Sequence, residues 1–430
     1  MQINSDGAWL DAVRYCEAIG QTAATEGGTQ KIAAVKHIVE DVRQRGDAAV
    51  AEYTERFDRV AISPQDFEVR PEELDNALAG IDSRLREIIE RAKANIESFH
   101  SKHLRESWQE TQPDGTIIGQ RVTPLARVGV YVPGGKAFYP SSVLMNILPA
   151  KVAGVKDVCM VSPPSHKDTI HPAVLAAARI AGADRVFRIG GAQSIAALAY
   201  GTETIPQVVK ITGPGNIFVT LAKSLVRGVA DIDSEAGPSE VVVLADGDAD
   251  PRFCALELLA QAEHDEEAMC ILVTDSAELA AAVDRAVQEE TARLPRRAII
   301  EKALNGQGAV FITRSMDEAV QLTNVIAPEH LNIQTADPSA TASCIENAGA
   351  MMLGPWTPVA VGDYFAGPNH ILPTGRRARY QSPLTAEDFR KVTSVIQYSR
   401  ARLARDAADI IDFATVEELT AHARAIEVRQ

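Results

Sequence analysis

Apolar and polar positions alternate on two different periods along this chain. Through about residue 110 the apolar residues recur every three or four positions, as in IAAVKHIVEDVRQRGDAAVAEYTERF (32–57) and from Arg84 to about Trp108. That spacing gathers them on one helical face and predicts charged, amphipathic scaffold helices. From Ala126 short β-rich runs alternate with helical runs: RVGVYV, SSVLMNILPAKVAG, DVCMVS, PAVLAAARIAG, RVFRIG, AQSIAALAYG, VVKIT and NIFVTLAKSLVRG. Strands separated by crossover-length helices predict a parallel sheet covered on both faces. A second series begins at Glu240: EVVVLAD, a helix through ALELLAQAEHD, MCILVTD, a helix to about Thr291, AVFIT, and a helix ending at Ala327. After Tyr398 the helical period returns and runs to the C-terminus.

The fold expected is α/β: two tandem doubly wound, Rossmann-like units with parallel sheets, an N-terminal helical segment and a helical C-terminal tail. A boundary is expected near DSEAGPSE (233–240), where Gly237-Pro238 interrupts local structure. The division expected is a helical arm over 1–27, a discontinuous first α/β domain over 28–130 and 239–384, a second over 131–238, and a tail over 385–430. At 430 residues and 46% hydrophobic composition, each unit is large enough for its own core.

Composition narrows the function by exclusion. The formal net charge is −15 and the sequence pI about 5.1, so nucleic acid and anionic membranes are repelled. Cys16, Cys159, Cys254, Cys270 and Cys344 are scattered, odd in number and form no CxxC. Neither a disulfide framework nor a thiolate zinc site is indicated, and a reducing, cytoplasmic location fits. The N-terminus MQINSDGAWLDAVRY lacks the layout of a secretory signal, and no apolar run approaches a membrane span.

Candidate chemistry clusters around four of the nine histidines. QAEHDEE (261–267) ends a helix, with Gln261 and His264 three residues apart on one face. VGDYFAGPNHILPTG (361–375) is a long loop carrying Asp363 and His370. EELTAHARAIEVR (417–429) holds Glu417 and His422. NVIAPEHLN (324–332) sets Glu329 beside His330 straight after a proline, where a helical pattern stops. Gln261, His264, Asp363 and His422 together offer an amide, a carboxylate and two imidazoles, a donor set that suits zinc. No GxGxxG and no Walker A loop occurs. Three glycine-rich turns follow expected strands instead: YVPGGKAFYPSS (131–142), IGGAQS (189–194) and ITGPGNIF (211–218). Such turns let an extended ligand such as a nucleotide approach the backbone.

In their order, RVGVYVPGG, YPSSVLMNILPAKVAGV, GGAQSIAALAYGT, KITGPGN, AGPSEVVVLAD, LLAQAEHD, IAPEHL, GDYFAGPNHILPTG and EELTAHARAIEVR resemble histidinol dehydrogenases, enzymes that end histidine biosynthesis. The resemblance runs from roughly residue 30 to the C-terminus. It implies a zinc held by Gln261, His264, Asp363 and His422, and an acid-base pair in Glu329 and His330. It implies substrate contacts from Ser239, His370 and Glu417, together with the metal ligands and His330. NAD would be met by Tyr131, Gln193 and Asn216, one from each glycine-rich turn. It also implies a homodimer in which the C-terminal tail crosses over, so that Glu417 and His422 complete the neighbouring site. The reaction implied is oxidation of L-histidinol to L-histidine with two NAD, with His330 as the base near its ordinary pKa of about 6.5.

The chain departs from the family pattern at Glu418, where a glycine is expected, at Ser234-Glu235, and at Arg376-Arg377. These positions leave open a related zinc and NAD enzyme acting on another small alcohol, such as a sulfonated diol. A zinc hydrolase using Glu329, or a metal-dependent binding protein, are the readings from other classes.

Overall fold

The computed structural model describes residues 2–4, 26–102, 104–134, 138–235 and 237–430. Strand β1 (Gln2–Asn4) comes first. The first helices are α1 (Glu26–Arg45), α2 (Asp47–Asp58), α3 (Pro71–Gly80) and α4 (Ser83–Ser101). Strands β2 (Trp108–Thr111) and β3 (Ile117–Pro124) follow. Next comes an alternating run: β4 (Arg127–Tyr131), α5 (Pro140–Val152), β5 (Asp157–Val161), α6 (Pro172–Ala181), β6 (Arg185–Phe187), α7 (Gly191–Tyr200), β7 (Lys210–Thr212), α8 (Ile217–Val226) and β8 (Asp231–Ile232).

The second run is β9 (Glu240–Ala245), α9 (Pro251–Ala262), β10 (Met269–Thr274), α10 (Ala277–Thr291), α11 (Arg297–Gln307), β11 (Gly308–Ile312), α12 (Met316–Ile326), β12 (His330–Gln334), α13 (Pro338–Ser343), β13 (Ala350–Leu353) and α14 (Val359–Tyr364). Strand β14 (Arg390–Gln397) and helices α15 (Arg400–Val416) and α16 (Thr420–Glu427) end the chain.

Two parallel sheets carry the architecture. The five-stranded sheet has the order β6-β5-β4-β7-β8 and the six-stranded sheet β1-β11-β10-β9-β12-β13. Period-two alternation sorts the six-stranded core: Val241, Val243, Cys270 and Leu272 face one helical layer, whereas Val242, Leu244, Ile271 and Val273 face the other. With both faces covered, β9 and β10 are buried throughout, as their unbroken apolar runs require.

Helices α1–α4 pack on α5–α8 and cover the five-stranded sheet. Helix α4 also reaches the 239–384 segment, where Asn95 Nδ2 donates to the Phe365 carbonyl at 2.8 Å. Val35, Val39 and Phe67 meet Phe187 and Leu198, and Ile89 and Ile96 share a core with Val128 and Ile147. The open faces of that sheet need cover, and these apolar stripes supply it. A third sheet also appears, antiparallel, in the order β14-β3-β2. Of the expected arm over 1–27, Gln2–Asn4 is a strand beside β11 and residue 26 begins α1; residues 5–25 lie outside the described residues.

Helices α15 and α16 pack on each other. They leave Phe413 71%, Val416 85% and Val428 65% exposed, so an apolar stripe of the tail has no cover among the described residues. No helix among the described residues is long and apolar enough to cross a membrane.

Candidate active site

Helix α12 stops because Ala327 takes a left-handed conformation (φ 50) and Pro328 follows. The chain then turns directly into β12, whose first residue is His330. Glu329 and His330 therefore stand at the N-terminal edge of a central parallel strand, and both are buried. His330 Nδ1–H donates to the Glu240 carbonyl at 3.1 Å. That bond leaves Nε2 toward Asp363, whose Oδ1 lies 3.4 Å away, and Glu329 Oε2 is 3.5 Å from Nδ1. Burial alone would lower the His330 pKa; the charge of Glu329 and the hydrogen bond to Asp363 outweigh it and raise it well above the ordinary 6.5. The expectation of a base near its ordinary pKa is corrected by these carboxylates. Burial pushes Asp363 up, but His330, with His370 and His264 farther off, brings it below its ordinary value.

Two flanking segments complete this corner. Helix α9 ends at Ala262, so Gln261 is helical while His264 lies in the turn beyond, tied by its N–H to the Gln261 carbonyl at 3.1 Å. The shared helical face expected for the pair is replaced by a C-terminal turn. His370 Nδ1–H donates to the Asp363 carbonyl (3.0 Å), and its Nε2 lies 3.4 Å from Ser142 Oγ of the other unit. Burial lowers the His370 pKa. Ser239 precedes β9, its carbonyl accepting the Met269 N–H.

Glu240 is the residue that sequence reasoning missed. It heads β9, is 3% exposed, and its carboxylate accepts N–H groups from Glu329 (3.2 Å) and Gly375 (2.6 Å). Burial first, then the charge of Glu329, push its pKa up to about 8. The signal available was a carboxylate at the head of the wholly apolar run VVVLA.

Within the single chain, His422 and Glu417 are exposed on the tail and are not gathered with Gln261, His264 and Asp363. Among the described residues no group of three or more His, Cys, Asp or Glu is placed to hold a metal. Gln261, His264 and Asp363 carry donors of the chemical type that zinc takes.

The five-stranded unit presents its glycine-rich turns at the C-terminal ends of its strands. Tyr131 ends β4; its buried hydroxyl accepts the Gly191 N–H, and burial raises its pKa. Gln193 in α7 is 0% exposed, and neither polar atom of its amide has a hydrogen-bond partner among the described residues. Such an orphaned amide is costly unless a ligand meets it. Gly213 has φ 113, and a Cβ there would fall 2.0 Å from the Tyr131 carbonyl, so only glycine lets this turn close on β4. Asn216 is exposed, and its Oδ1 caps α8 by accepting the Phe218 and Val219 N–H groups. These features fit a dinucleotide lying along the strand ends. Between the units lies a cavity of about 380 Å³, with Tyr139 and Ser141 on one side and Glu263, His264 and Tyr364 on the other.

A family model described as histidinol dehydrogenase matches residues 22–430. A histidinol dehydrogenase of Geobacillus kaustophilus is 52% identical over 405 residues, covering 94% of this chain and 95% of that one. The chain belongs to the histidinol dehydrogenase family. The Bacillus subtilis histidinol dehydrogenase is 48% identical over 423 residues, covering 98% of each chain. The crystal structure of histidinol dehydrogenase from Elizabethkingia anophelis matches with a TM-score of 0.91 at 32% identity, covering 100% of this chain and 98% of that one. An acetylating aldehyde dehydrogenase from Geobacillus thermoglucosidasius shares the fold (TM-score 0.51, 14% identity, 86% of this chain and 98% of that one). The chain is thus an enzyme acting on a small molecule.

The departures from the family pattern now have places. Arg377 Nη2 lies 3.2 Å from Glu235 Oε2, so two of the unusual positions pair with each other. Arg376 Nε donates to the Val325 carbonyl at 3.1 Å. Glu418 has φ 59, a left-handed conformation that explains why glycine suits this position.

Proposed function

We propose that this enzyme oxidises L-histidinol to L-histidine through L-histidinaldehyde, a four-electron reaction linked to two NAD, as the last step of histidine biosynthesis. One zinc per subunit and a homodimer with shared sites belong to the same reading, as does a cytoplasmic location. The observation that carries it is the His330 imidazole held between Glu329 and Asp363, in a chain of this family.

Gln261, His264, Asp363 and, from a second copy, His422 would hold the zinc, which when bound orients an amino alcohol and polarises its oxygen. Tyr131, Gln193 and Asn216 would hold NAD, the hydride acceptor. His330 Nε2 takes the alcohol proton in the first half-reaction. Asp363, 3.4 Å from Nε2, would give up its hold on the His330 proton once it served as a ligand, leaving Nε2 free for this task. Glu329 takes the proton of the water that adds to the aldehyde, and the hydrate then yields the second hydride. Two half-reactions thus use two adjacent acceptors fixed by one turn. Ser239, His370 and Glu417 would line the substrate. A cationic amino alcohol suits the acidic Glu417-Glu418 pair. A sulfonated diol would need a cationic side chain; Arg377 is engaged with Glu235, and Arg296 lines the cavity between the units. The hydrolase alternative leaves the orphaned Gln193 amide unused.

The test is the NADH formed per L-histidinol consumed by the purified enzyme. About two, lost on chelation and regained with zinc, supports the reading. NAD binding without NADH from histidinol overturns the substrate and moves the search to sulfonated diols.

A further inference from the structure

We propose that Glu240 is a positioning residue for the reaction: it orients Glu329 and His330 together and clamps to them the loop that carries His370. This rests on the acid-base reading of Glu329 and His330. Four hydrogen bonds carry it. The Glu240 N–H donates to Glu329 Oε2 at 2.8 Å, and the Glu329 N–H donates back to Glu240 Oε2 at 3.2 Å. The two residues clasp each other reciprocally, which fixes the Glu329 carboxylate. The Glu240 carbonyl accepts from His330 Nδ1, so the ring is held with Nε2 toward Asp363. Finally Glu240 Oε1 accepts the Gly375 N–H at 2.6 Å, joining the 366–376 loop to the same point.

Neighbouring contacts tighten that junction. The Gly237 N–H donates to Thr374 Oγ1 at 2.5 Å, and Arg377 pairs with Glu235. The segment before β9 and the loop after His370 are therefore stitched side by side, with Glu240 as the one stitch that also reaches both catalytic residues. A buried carboxylate at the head of an apolar strand is an expensive choice for stability alone. Its two oxygens are matched instead to two backbone N–H groups in segments that must stay in register.

Glu240→Gln is nearly isosteric and offers one acceptor oxygen where two are used, so one N–H faces an amide NH2. The full-length enzyme carrying Glu240→Gln or Glu240→Asp would be compared with wild type by hydrogen-exchange mass spectrometry and by steady-state kinetics on L-histidinol and L-histidinaldehyde. For Glu240→Gln we expect faster exchange confined to peptides spanning 326–331 and 372–377. We expect kcat to fall roughly ten- to a hundredfold, from one lost buried hydrogen bond at the reacting groups, with KM for histidinol little changed. Glu240→Asp keeps both oxygens and restores part of kcat. Unchanged exchange in both peptides overturns the proposal, as does exchange raised throughout both units with kcat and KM moving in step. If wild type makes no NADH from histidinol, the functional reading falls separately. The exchange comparison then decides alone whether Glu240 holds Glu329 and the loop.

Discussion

Replacing Lys223 by methionine should loosen the dinucleotide turn through a charge left behind in the core. Lys223 and Asp233 form an ion pair whose side chains are 2% and 4% exposed. Lys223 Nζ also donates to the Gly213 carbonyl at 3.0 Å, and Asp233 accepts the Gly213 and Ser234 N–H groups at 2.7 Å each. The pair thus pins the turn ITGPG at Gly213, three residues ahead of Asn216 in sequence. Removing one partner of a buried pair costs about 3–5 kcal/mol, because the other stays charged and dry. The two N–H donors that remain on Asp233 put the expectation near the lower end, about 3 kcal/mol. For a unit of this size that lowers Tm by roughly 6–12 °C. Scanning calorimetry with and without NAD measures both the loss and the weakened ligand stabilisation. The double variant Lys223→Met/Asp233→Asn removes the stranded charge and should recover more than half of the lost stability. A Tm within about 2 °C of wild type, or a double variant less stable than the single, refutes the reasoning.

Two further outcomes follow from the site and its surroundings. His330→Asn should cripple alcohol oxidation, whereas Glu329→Gln should mostly spare it and stall aldehyde oxidation; equal loss in both half-reactions, assayed separately with histidinol and histidinaldehyde, would sink that division of labour. Burial pushes Asp58 from an ordinary 3.8 up to about 6. Its folded form therefore holds a proton that the unfolded chain has released, and this contribution to stability is lost as pH rises from about 4 to about 6. Asp58 is partly exposed, so the effect is discounted to about 1–2 kcal/mol. Asp58→Asn should gain stability relative to wild type across that window, read as a Tm difference that grows with pH; a constant difference would be contrary to it.

The α/β architecture was legible because burial on both faces of a parallel sheet leaves a continuous apolar run, as in EVVVLA and MCILVT, with amphipathic helices between them. Helix placement was less legible. The stripe of Val35, Val39 and Val42 says that a helix buries one face, without saying which sheet receives it. The small antiparallel sheet was missed because β2 and β14 are mostly exposed and lack a one-sided apolar pattern. In the site, residue types pointed to Glu329, His330, Asp363 and His264, yet distance along the chain hid their partners. Glu240 lies 89 residues from Glu329 and Glu235 lies 142 from Arg377, so neither pairing has a local signature.

The two sheets meet at the cleft by opposite ends, and this gives the cleft a built-in electrical polarity. In a parallel sheet each helix runs against its strands, so helix ends alternate with strand ends. On the five-stranded side the strand C-termini are accompanied by the starts of α5, α6, α7 and α8, whose helix dipoles favour negative charge. On the six-stranded side β10 and β12 begin where α9 and α12 end, and the helix dipoles there favour positive charge. A ligand with an anionic part and a partner with a cationic part are thus sorted to opposite banks before any side chain selects them. In the proposed reaction the banks correspond to the dinucleotide phosphates and to the amino alcohol with its metal. A designer who wished to retarget this scaffold could exchange the side chains of either bank, but not the sign that the backbone has already written there.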